Sequence, residues 1–249
     1  MRALRAIFRK VMDTVFLRRC KICNSIIAEE GERHICMGCW RNITLIGKHL
    51  CSCCGKPLQI SYDLSEGLND YICGTCREKH PIFDSARSIC RYDGVLKELI
   101  HVYKYNGVKS LGNDLVSLII DHIKSGNAIH PRPNTIMYVP LHRGKLKERG
   151  FDQSYILARG IGNYLNIPLI TDNLSKSRET EPQVKLSGNE RLKNVRGAFM
   201  VKKPDEIRKM NLLLIDDVFT TGTTVNECAR VLKRAGTARV DVLTLARTV

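Results

Sequence analysis

Apolar and polar residues follow two different patterns, one at the start of the chain and one after Pro81. Between residues 3 and 17, apolar residues recur at helical spacing while basic residues take the opposite face, so residues 1–18 are predicted to form a basic amphipathic helix. After Pro81, short apolar runs alternate with segments of helical spacing. Strands are predicted at 84–92, 135–139, 212–218 and 239–246, and helices around 96–103, 111–124, 155–165 and 225–235.

Alternation of strands with helices is typical of α/β proteins. The expected fold is a doubly wound, mainly parallel sheet with a small cysteine-rich module before it. The predicted domains are the helix at 1–18, the cysteine-rich module at 19–80 and the sheet domain at 81–249. A ligand crevice should lie at the carboxyl ends of the strands.

Composition excludes two broad classes. Of the 249 residues, 43% are hydrophobic, which is too many for a disordered chain, and no apolar stretch approaches the roughly 18 residues of a membrane span. Charged residues interrupt the amino-terminal helix, so it is not a secretory signal and a cytoplasmic location is expected. The net charge of +15 predicts attraction to nucleic acid, anionic lipid or phosphorylated ligands without choosing among them. For the amphipathic helix, docking on its own protein is favoured over an anionic membrane surface.

Cysteines are concentrated in one region: nine of the eleven lie between Cys20 and Cys76. Eight form C-x-x-C pairs, each of which can direct two thiolates at one metal ion. The pairs are Cys20/Cys23, Cys36/Cys39, Cys51/Cys54 and Cys73/Cys76. Two structural zinc sites are favoured over a disulfide framework, which requires an oxidising compartment. Pairs adjacent in sequence or a crossed arrangement could share each zinc ion.

Chemistry is concentrated in the segment from Leu212 to Thr224. A buried strand ends in Asp216 and Asp217, and a Thr/Gly loop then leads directly into a helix. Loop amides and a helix N-terminus suit a phosphate monoester, and two carboxylates beside it suit vicinal hydroxyls. The indicated ligand is a ribose 5-phosphate, with both carboxylates expected to lie exposed at the strand end.

This segment resembles the ribose-phosphate signature of the type I phosphoribosyltransferases. In that family the acid pair holds the ribose hydroxyls of 5-phosphoribosyl 1-pyrophosphate and the loop holds its 5′-phosphate. The resemblance implies ribose contacts from Asp216 and Asp217. It implies phosphate contacts from the loop residues Thr220, Thr221, Gly222, Thr223 and Thr224.

Other motifs extend the resemblance to the ComF family of competence-associated, phosphoribosyltransferase-like proteins. They are the C-x-x-C head, RGFDQS at 149–154, RETEPQ at 178–183 and the closing LAR at 245–247. Asp152 departs from the usual Asn and is expected to repel a pyrophosphate, while Lys176 replaces a common Arg.

A pyrophosphate group needs dense positive charge, which the segment after the second sheet strand supplies. Its predicted pyrophosphate-binding residues are Pro140, Leu141, His142, Arg149, Gly150 and Gln153. Residues 175–197 show little periodicity and are predicted to form a structureless lid. Closure would bring Arg178, Lys185 and Arg191 to the leaving pyrophosphate, so these join the acid pair as catalytic candidates.

Two classes of function stay open from sequence alone. One is a phosphoribosyltransferase that uses phosphoribosyl pyrophosphate and Mg²⁺ on an unidentified acceptor. The other is a non-catalytic competence factor that binds single-stranded DNA or DNA-uptake proteins and uses the same site as a ligand sensor. The resemblance favours a role in DNA uptake for both, and the sequence does not indicate an oligomeric state.

Overall fold

The computed structural model describes residues 18–27, 34–58, 71–125, 132–180 and 194–249. The predicted helix before Arg18 and the candidates Lys185 and Arg191 lie outside these ranges. The strands are β1 (Ser85–Arg91), β2 (Thr135–Tyr138), β3 (Leu174–Lys176), β4 (Phe199–Val201), β5 (Asn211–Phe219) and β6 (Arg239–Arg247). The helices are α1 (Met37–Arg41), α2 (Gly74–Lys79), α3 (Gly94–Tyr105), α4 (Leu111–Lys124), α5 (Arg143–Arg149), α6 (Gln153–Leu165) and α7 (Thr223–Arg234).

Four strands form a parallel sheet in the order β1-β6-β5-β2. Alternate residues of β5 face opposite sides of this sheet. Leu213 and Ile215 pack in one buried cluster with residues of α3, α4 and α6, whereas Leu212 and Leu214 pack in a second cluster with residues of α7. Helices therefore cover both faces, which confirms the predicted doubly wound fold.

The cysteine-rich module packs along the free edge of β1. Its residues 44–46 run antiparallel to β1, where Ile46 N donates to Ile89 O and Arg91 N donates to Thr44 O, each at 2.9 Å. Cys20 and Cys39 belong to the buried cluster on the α4 face, and Cys51 and Cys54 to the cluster on the α7 face. The module thus covers the sheet edge and closes both hydrophobic clusters beside it.

Two segments that looked irregular in sequence contain regular structure. The structureless prediction for 175–197 is wrong at its start, where Ser175 and Lys176 belong to β3, which pairs antiparallel with β4 just beyond the end of the segment. The run predicted as a basic loop after β2 is the short helix α5. His142 Nδ1 caps it by accepting from Gly144 N at 3.3 Å, and Gly150 ends it at φ 78°. None of the helices in the described ranges combines the length and hydropathy needed to cross a bilayer.

Candidate functional site

The two acids at the carboxyl end of β5 are buried, so the expectation that they lie exposed is wrong. Asp216 is 8% exposed and Asp217 is 5% exposed. Asp216 Oδ1 accepts from Ser154 Oγ on α6 at 3.0 Å and from Asp217 N at 2.9 Å. Asp217 Oδ1 accepts from Val218 N at 2.7 Å. These bonds hold both carboxylates in place and leave the second oxygen of Asp217 for another partner.

That partner is Lys104, in the last turn of α3. Its Nζ lies 2.5 Å from Asp217 Oδ2, an oxygen that is shielded from solvent. The Lys104 side chain is 19% exposed, so the ion pair is mostly shielded from water. A buried ion pair of this kind offsets part of the desolvation cost of burying two adjacent carboxylates.

The surroundings of the site raise the pKa of both Asp216 and Lys104, so both groups tend to keep their protons. Burial, followed by the charge of Asp217, raises the pKa of Asp216 to about 8. Burial alone would lower the pKa of Lys104, but the charge of Asp217 raises it above its ordinary value. At neutral pH Lys104 is therefore a cation, and Asp216 keeps most of its proton.

The Thr/Gly loop joins β5 to α7 through a sharp turn. Gly222 has φ 75° and directly precedes the helix, and a Cβ added there would lie 2.5 Å from Phe219 Cζ. Glycine is required at this position both by its backbone conformation and by the Phe219 ring. Thr221 Oγ1 and Thr223 Oγ1 are 2.8 Å apart, and α7 begins at Thr223. The loop thus places hydroxyls and the amino-terminal turn of a helix beside the acid pair, an arrangement that suits an anion.

Asp152 supports the loop after β2 instead of facing a ligand. Its Oδ1 accepts from Ser154 N and Tyr155 N at 3.0 and 3.1 Å, capping α6, and its Oδ2 accepts from Leu141 N at 2.9 Å. Burial raises the pKa of Asp152, and these three amide donors oppose the shift. This geometry argues against the expectation that the Asp152 carboxylate repels a pyrophosphate, since both oxygens are engaged by backbone amides.

Beside the acid pair lies a cavity of about 170 Å³ with basic walls. Arg149, at the end of α5, donates to Gln153 Oε1 and lies 5.3 Å from the ring centre of Tyr105. The cavity is lined by Lys104, Tyr105, Gly107, Lys145, Glu148 and Arg149. The predicted pyrophosphate residue Arg149 and the unpredicted Lys104 are therefore neighbours, and Gln153 holds the Arg149 guanidinium in place.

The lid candidate Arg178 does not reach the acid pair. It donates to the carbonyls of Asn194 and Arg196 at 2.9 and 3.2 Å and so joins the two ends of the segment that β3 and β4 enclose. The neighbouring Glu179 Oε2 lies 3.8 Å from His142 Nδ1, which brings the start of this segment to the loop after β2. On the same side, Lys176 Nζ donates to Thr180 Oγ1 at 2.6 Å.

Eight cysteines form two clusters, and pairs adjacent in sequence share each one. Within a cluster the four sulfurs lie within 4.8 Å of one another. The clusters are Cys20, Cys23, Cys36 and Cys39, and Cys51, Cys54, Cys73 and Cys76. The crossed arrangement disagrees with this geometry, because each cluster contains two pairs that are adjacent in sequence. The disulfide framework also disagrees, because all the cysteines are free thiols.

The donor geometry of both clusters fits a zinc ion. Zn–S bonds of about 2.3 Å in a tetrahedron place the sulfurs about 3.8 Å apart. Cys54 Sγ and Cys73 Sγ are 3.8 Å apart, and Cys23 Sγ and Cys36 Sγ are 3.6 Å apart. Burial would raise the pKa of Cys51, but the amides of Cys73 and Cys54, which donate to its Sγ at 3.3 and 3.5 Å, lower it to about 6. Cys51 is thus prepared to bind as a thiolate.

Two residues of the acid pair's surroundings were not identified from sequence as site residues. Lys104 follows the last apolar residue of the helical stripe in α3, so it reads as a solvated cation. Ser154 belongs to the RGFDQS motif, but no role at the site was predicted for it. The available sequence signal for Lys104 was its position directly after Tyr103, which lies on the inner face of the helix.

Both modules of the chain match known protein families. The double zinc ribbon domain family matches residues 11–77, and the phosphoribosyl transferase domain family matches residues 149–248. Among solved structures, an adenine phosphoribosyltransferase from Leishmania tarentolae matches at a TM-score of 0.36 and 14% identity, covering 59% of this chain and 74% of that chain.

Several curated relatives are similar to this chain over nearly its whole length, across both modules. The DNA utilization protein YhgH of Escherichia coli K12 is 31% identical over 236 residues, which cover 92% of this chain and 96% of that protein. Competence protein F of Haemophilus influenzae is 29% identical, with 95% and 100% covered, and competence protein ComFC of Bacillus subtilis is 27% identical, with 92% and 95% covered. With a double zinc ribbon on the edge of a phosphoribosyltransferase-type sheet, this chain belongs to the ComF family.

Proposed function

We propose that this protein binds 5-phosphoribosyl 1-pyrophosphate with Mg²⁺ at the end of β5 and transfers its phosphoribosyl group to an acceptor during the handling of incoming DNA in the cytoplasm. The observation that carries the proposal is the buried acid pair, which continues directly into a glycine turn and the N-terminus of α7. Relatives named for competence and DNA utilization support the biological setting.

The proposed contacts follow from the chemistry of each group. Ribose hydroxyls donate to the carboxyl oxygens of Asp216 and Asp217, and a bond to a charged carboxylate is worth about 1.5–3 kcal/mol. The 5′-phosphate takes the threonine hydroxyls and the helix N-terminus at 220–224. The pyrophosphate faces the loop at 140–142 and Arg149, and Arg178, Lys185 and Arg191 of the lid segment stay proposed contacts to it.

Catalysis in this proposal needs no protein nucleophile. The bond between the anomeric carbon and the pyrophosphate breaks as a ribose cation develops, so the protein contributes orientation and charge stabilisation. Asp216 and Asp217 orient the sugar and face the developing positive charge. Asp216 and Asp217 would hold a Mg²⁺ ion that accompanies the ligand, and its charge would offset part of the pyrophosphate charge.

Calorimetry with phosphoribosyl pyrophosphate and Mg²⁺ tests the binding step. The parent protein should bind, and Asp216→Asn combined with Asp217→Asn should weaken binding by about two decades or more. Asparagine keeps the shape of each buried side chain and leaves an amide oxygen as an acceptor for Lys104, whereas alanine would leave the ammonium with no acceptor at this position. Asp205→Asn is the matched control because Asp205 is 91% exposed, and it should bind like the parent. Equal affinity of a folded double variant would refute the site.

A non-catalytic role is the second candidate function. The net charge of the chain and the small volume of the cavity beside the acid pair favour it. The net charge is +15, and the described cavity beside the acid pair, at about 170 Å³, is smaller than the roughly 300 Å³ of small ligand pockets. A larger cavity of about 580 Å³ lies at the amino-terminal end of the sheet, near Ser85 and Asp241. An acceptor base therefore has no preformed room next to the acid pair in the described part of the chain.

Two measurements separate the candidates. Pyrophosphate release that depends on an acceptor identifies a transferase, and ligand binding without release identifies a sensor. Single-stranded DNA should bind the second kind of protein with an affinity that falls about 0.7 log units per decade of salt for each phosphate contacted. Neutralising Arg18, Arg19, Lys21 and Arg41 together should reduce that slope if the zinc-ribbon module carries the DNA site.

A further inference from the structure

Lys104 lies where two parts of the site meet. Its ammonium is 2.5 Å from Asp217 Oδ2, and its side chain also lines the small basic cavity between α3 and α5. No predicted site residue has this double position among the described residues. Lys104 therefore faces both the group proposed to hold the sugar and the space beside the proposed pyrophosphate loop.

The other cations of the cavity are held by neighbours that are not part of the acid pair. Lys145 Nζ lies 2.7 Å from Glu148 Oε2, and Arg149 is held by Gln153 and by the ring of Tyr105. Lys104, in contrast, is paired with the carboxylate oxygen that a ribose hydroxyl would use. A sugar that engages this oxygen must compete with the ammonium.

The covalent structure of phosphoribosyl pyrophosphate connects these two positions. Its pyrophosphate is attached to C1 of the ribose, and the neighbouring C2 carries a hydroxyl. A ligand whose hydroxyl reaches Asp217 therefore places its pyrophosphate within a few ångströms of the same ammonium. Lysine suits an exchange of partners, because its ammonium is a compact point charge on a flexible stem.

We propose that Lys104 is an exchangeable counter-ion, which neutralises the acid pair in the empty site and moves to the pyrophosphate when the sugar hydroxyls take over Asp217. This inference rests on the proposed function. It makes Lys104 a determinant of ligand specificity: a sugar phosphate with an anionic group on C1 gives the displaced ammonium a new partner. Ribose 5-phosphate, which carries a hydroxyl on C1, displaces the ammonium without replacing its partner.

Calorimetry on the full chain with two probes tests this proposal. Lys104→Met keeps the apolar stem and removes the charge. It should weaken binding of phosphoribosyl pyrophosphate with Mg²⁺ about 10- to 100-fold, the loss expected for one charge-assisted contact. Binding of ribose 5-phosphate should stay within about threefold of the parent or become tighter, because no ion pair has to be broken. Lys97→Met is the matched control, an exposed lysine on the same helix, and should change neither affinity.

The outcomes separate this inference from the proposed function. A parent that binds neither probe contradicts the proposed function itself. A parent that binds phosphoribosyl pyrophosphate, with a Lys104→Met variant that binds it equally well, overturns the inference alone. Equal weakening of both probes also overturns it, since that is the signature of a distorted site. If Lys104→Met does not fold, Lys104→Met combined with Asp217→Asn removes both charges, and the ratio of the two affinities is then compared with that of Asp217→Asn.

Discussion

The cysteine clusters and the acid pair both gather groups of the same charge, but they are neutralised in different ways. Each cysteine cluster brings four thiols together, a donor set whose natural counter-charge is a metal ion from outside the chain. The acid pair has its cation built in, as Lys104. The zinc-ribbon module therefore depends on a permanent ligand, whereas the acid pair can exist empty and exchange its partner.

The two arrangements also differ in how their members are spaced along the chain. Each cysteine cluster is assembled from two C-x-x-C pairs close in sequence, whereas Asp217 and Lys104 belong to distant elements brought together by the sheet. A permanent site can be encoded locally. The pairing of Asp217 with Lys104, which the proposed exchange requires, forms only when folding brings these two distant segments together.

The largest effect is expected from a single sulfur in the zinc-ribbon module. Cys54→Ser removes one thiolate of the second cluster and should lower the metal content from about two zinc ions per chain to about one. Because a structural zinc site contributes several kcal/mol and this module closes both core clusters, the Tm should fall by about 10 °C or more. Metal analysis and thermal unfolding in reducing buffer measure both quantities.

Cys53→Ser is the control for that experiment, since Cys53 adjoins Cys54 but belongs to neither cluster. It should keep both zinc ions and nearly the parent Tm. Equal losses in the two variants, or a parent protein that contains disulfides and no metal, would contradict the assignment of the clusters.

At the acid pair, the expected effect is smaller and depends on pH. The pKa of Asp216 is raised to about 8 in the folded protein, so the folded state keeps a proton that the unfolded chain releases near pH 4. Stability should therefore fall as the pH rises from 4 to 8 and level off above that. Asp216→Asn removes this dependence, and its stability relative to the parent should increase by about 2 kcal/mol between pH 6 and pH 8.

Urea unfolding of both proteins at the two pH values, with zinc present throughout, provides the measurement. Titrating groups far from Asp216, including the zinc-ribbon cysteines, contribute equally to parent and variant and cancel in the difference. A difference that is the same at pH 6 and pH 8 would mean that Asp216 titrates like an exposed acid.

The sequence predicted most of the fold because periodicity is a local signal. The strand around Leu212–Val218 and the helix at 111–124 match β5 and α4 within one residue at each end. The short elements β3, β4 and α5 were missed, since three strand residues or seven helical residues show too few repeats for a period. The acid pair and its Thr/Gly loop were also predicted, because they lie in one continuous segment of the sequence.

What the sequence could not supply is the set of contacts between distant segments. Burial of Asp216 and Asp217 follows from α3 and α6 packing over the end of β5, which places Lys104 and Ser154 against them. The open choice between cysteine pairings had the same origin, because the spacing of C-x-x-C pairs permits several partners. Only the folded geometry selects pairs adjacent in sequence.

A glycine substitution should reveal how tightly the loop beside the acid pair is packed. Gly222→Ala places a Cβ against Phe219 at φ 75°, whereas Gly150→Ala at φ 78° meets no atom within 4 Å. Strain from positive φ should cost each variant about 1 kcal/mol, and the clash should cost Gly222→Ala about 1 kcal/mol more. Urea unfolding measures the difference. Equal destabilisation would show that the Phe219 ring moves aside.

The smallest effect is expected at Asp152, where the family usually has Asn. Asp152→Asn keeps an oxygen for the amides of Ser154 and Tyr155 but turns an NH₂ group toward the donor Leu141 N–H. Losing that one acceptor should cost about 1 kcal/mol. Affinity for phosphoribosyl pyrophosphate should not increase, because the carboxylate is directed at backbone amides.

Asp93→Asn is the matched control for Asp152, because Asp93 precedes α3 without capping it through its side chain. Its stability should be within about 0.5 kcal/mol of the parent. Calorimetry and urea unfolding of the Asp93 and Asp152 variants then separate two roles for the Asp152 carboxylate. A loss of stability with unchanged affinity identifies a brace for the pyrophosphate loop. Tenfold tighter binding in Asp152→Asn would instead mean that the carboxylate faces the ligand and repels it, as its charge alone suggests.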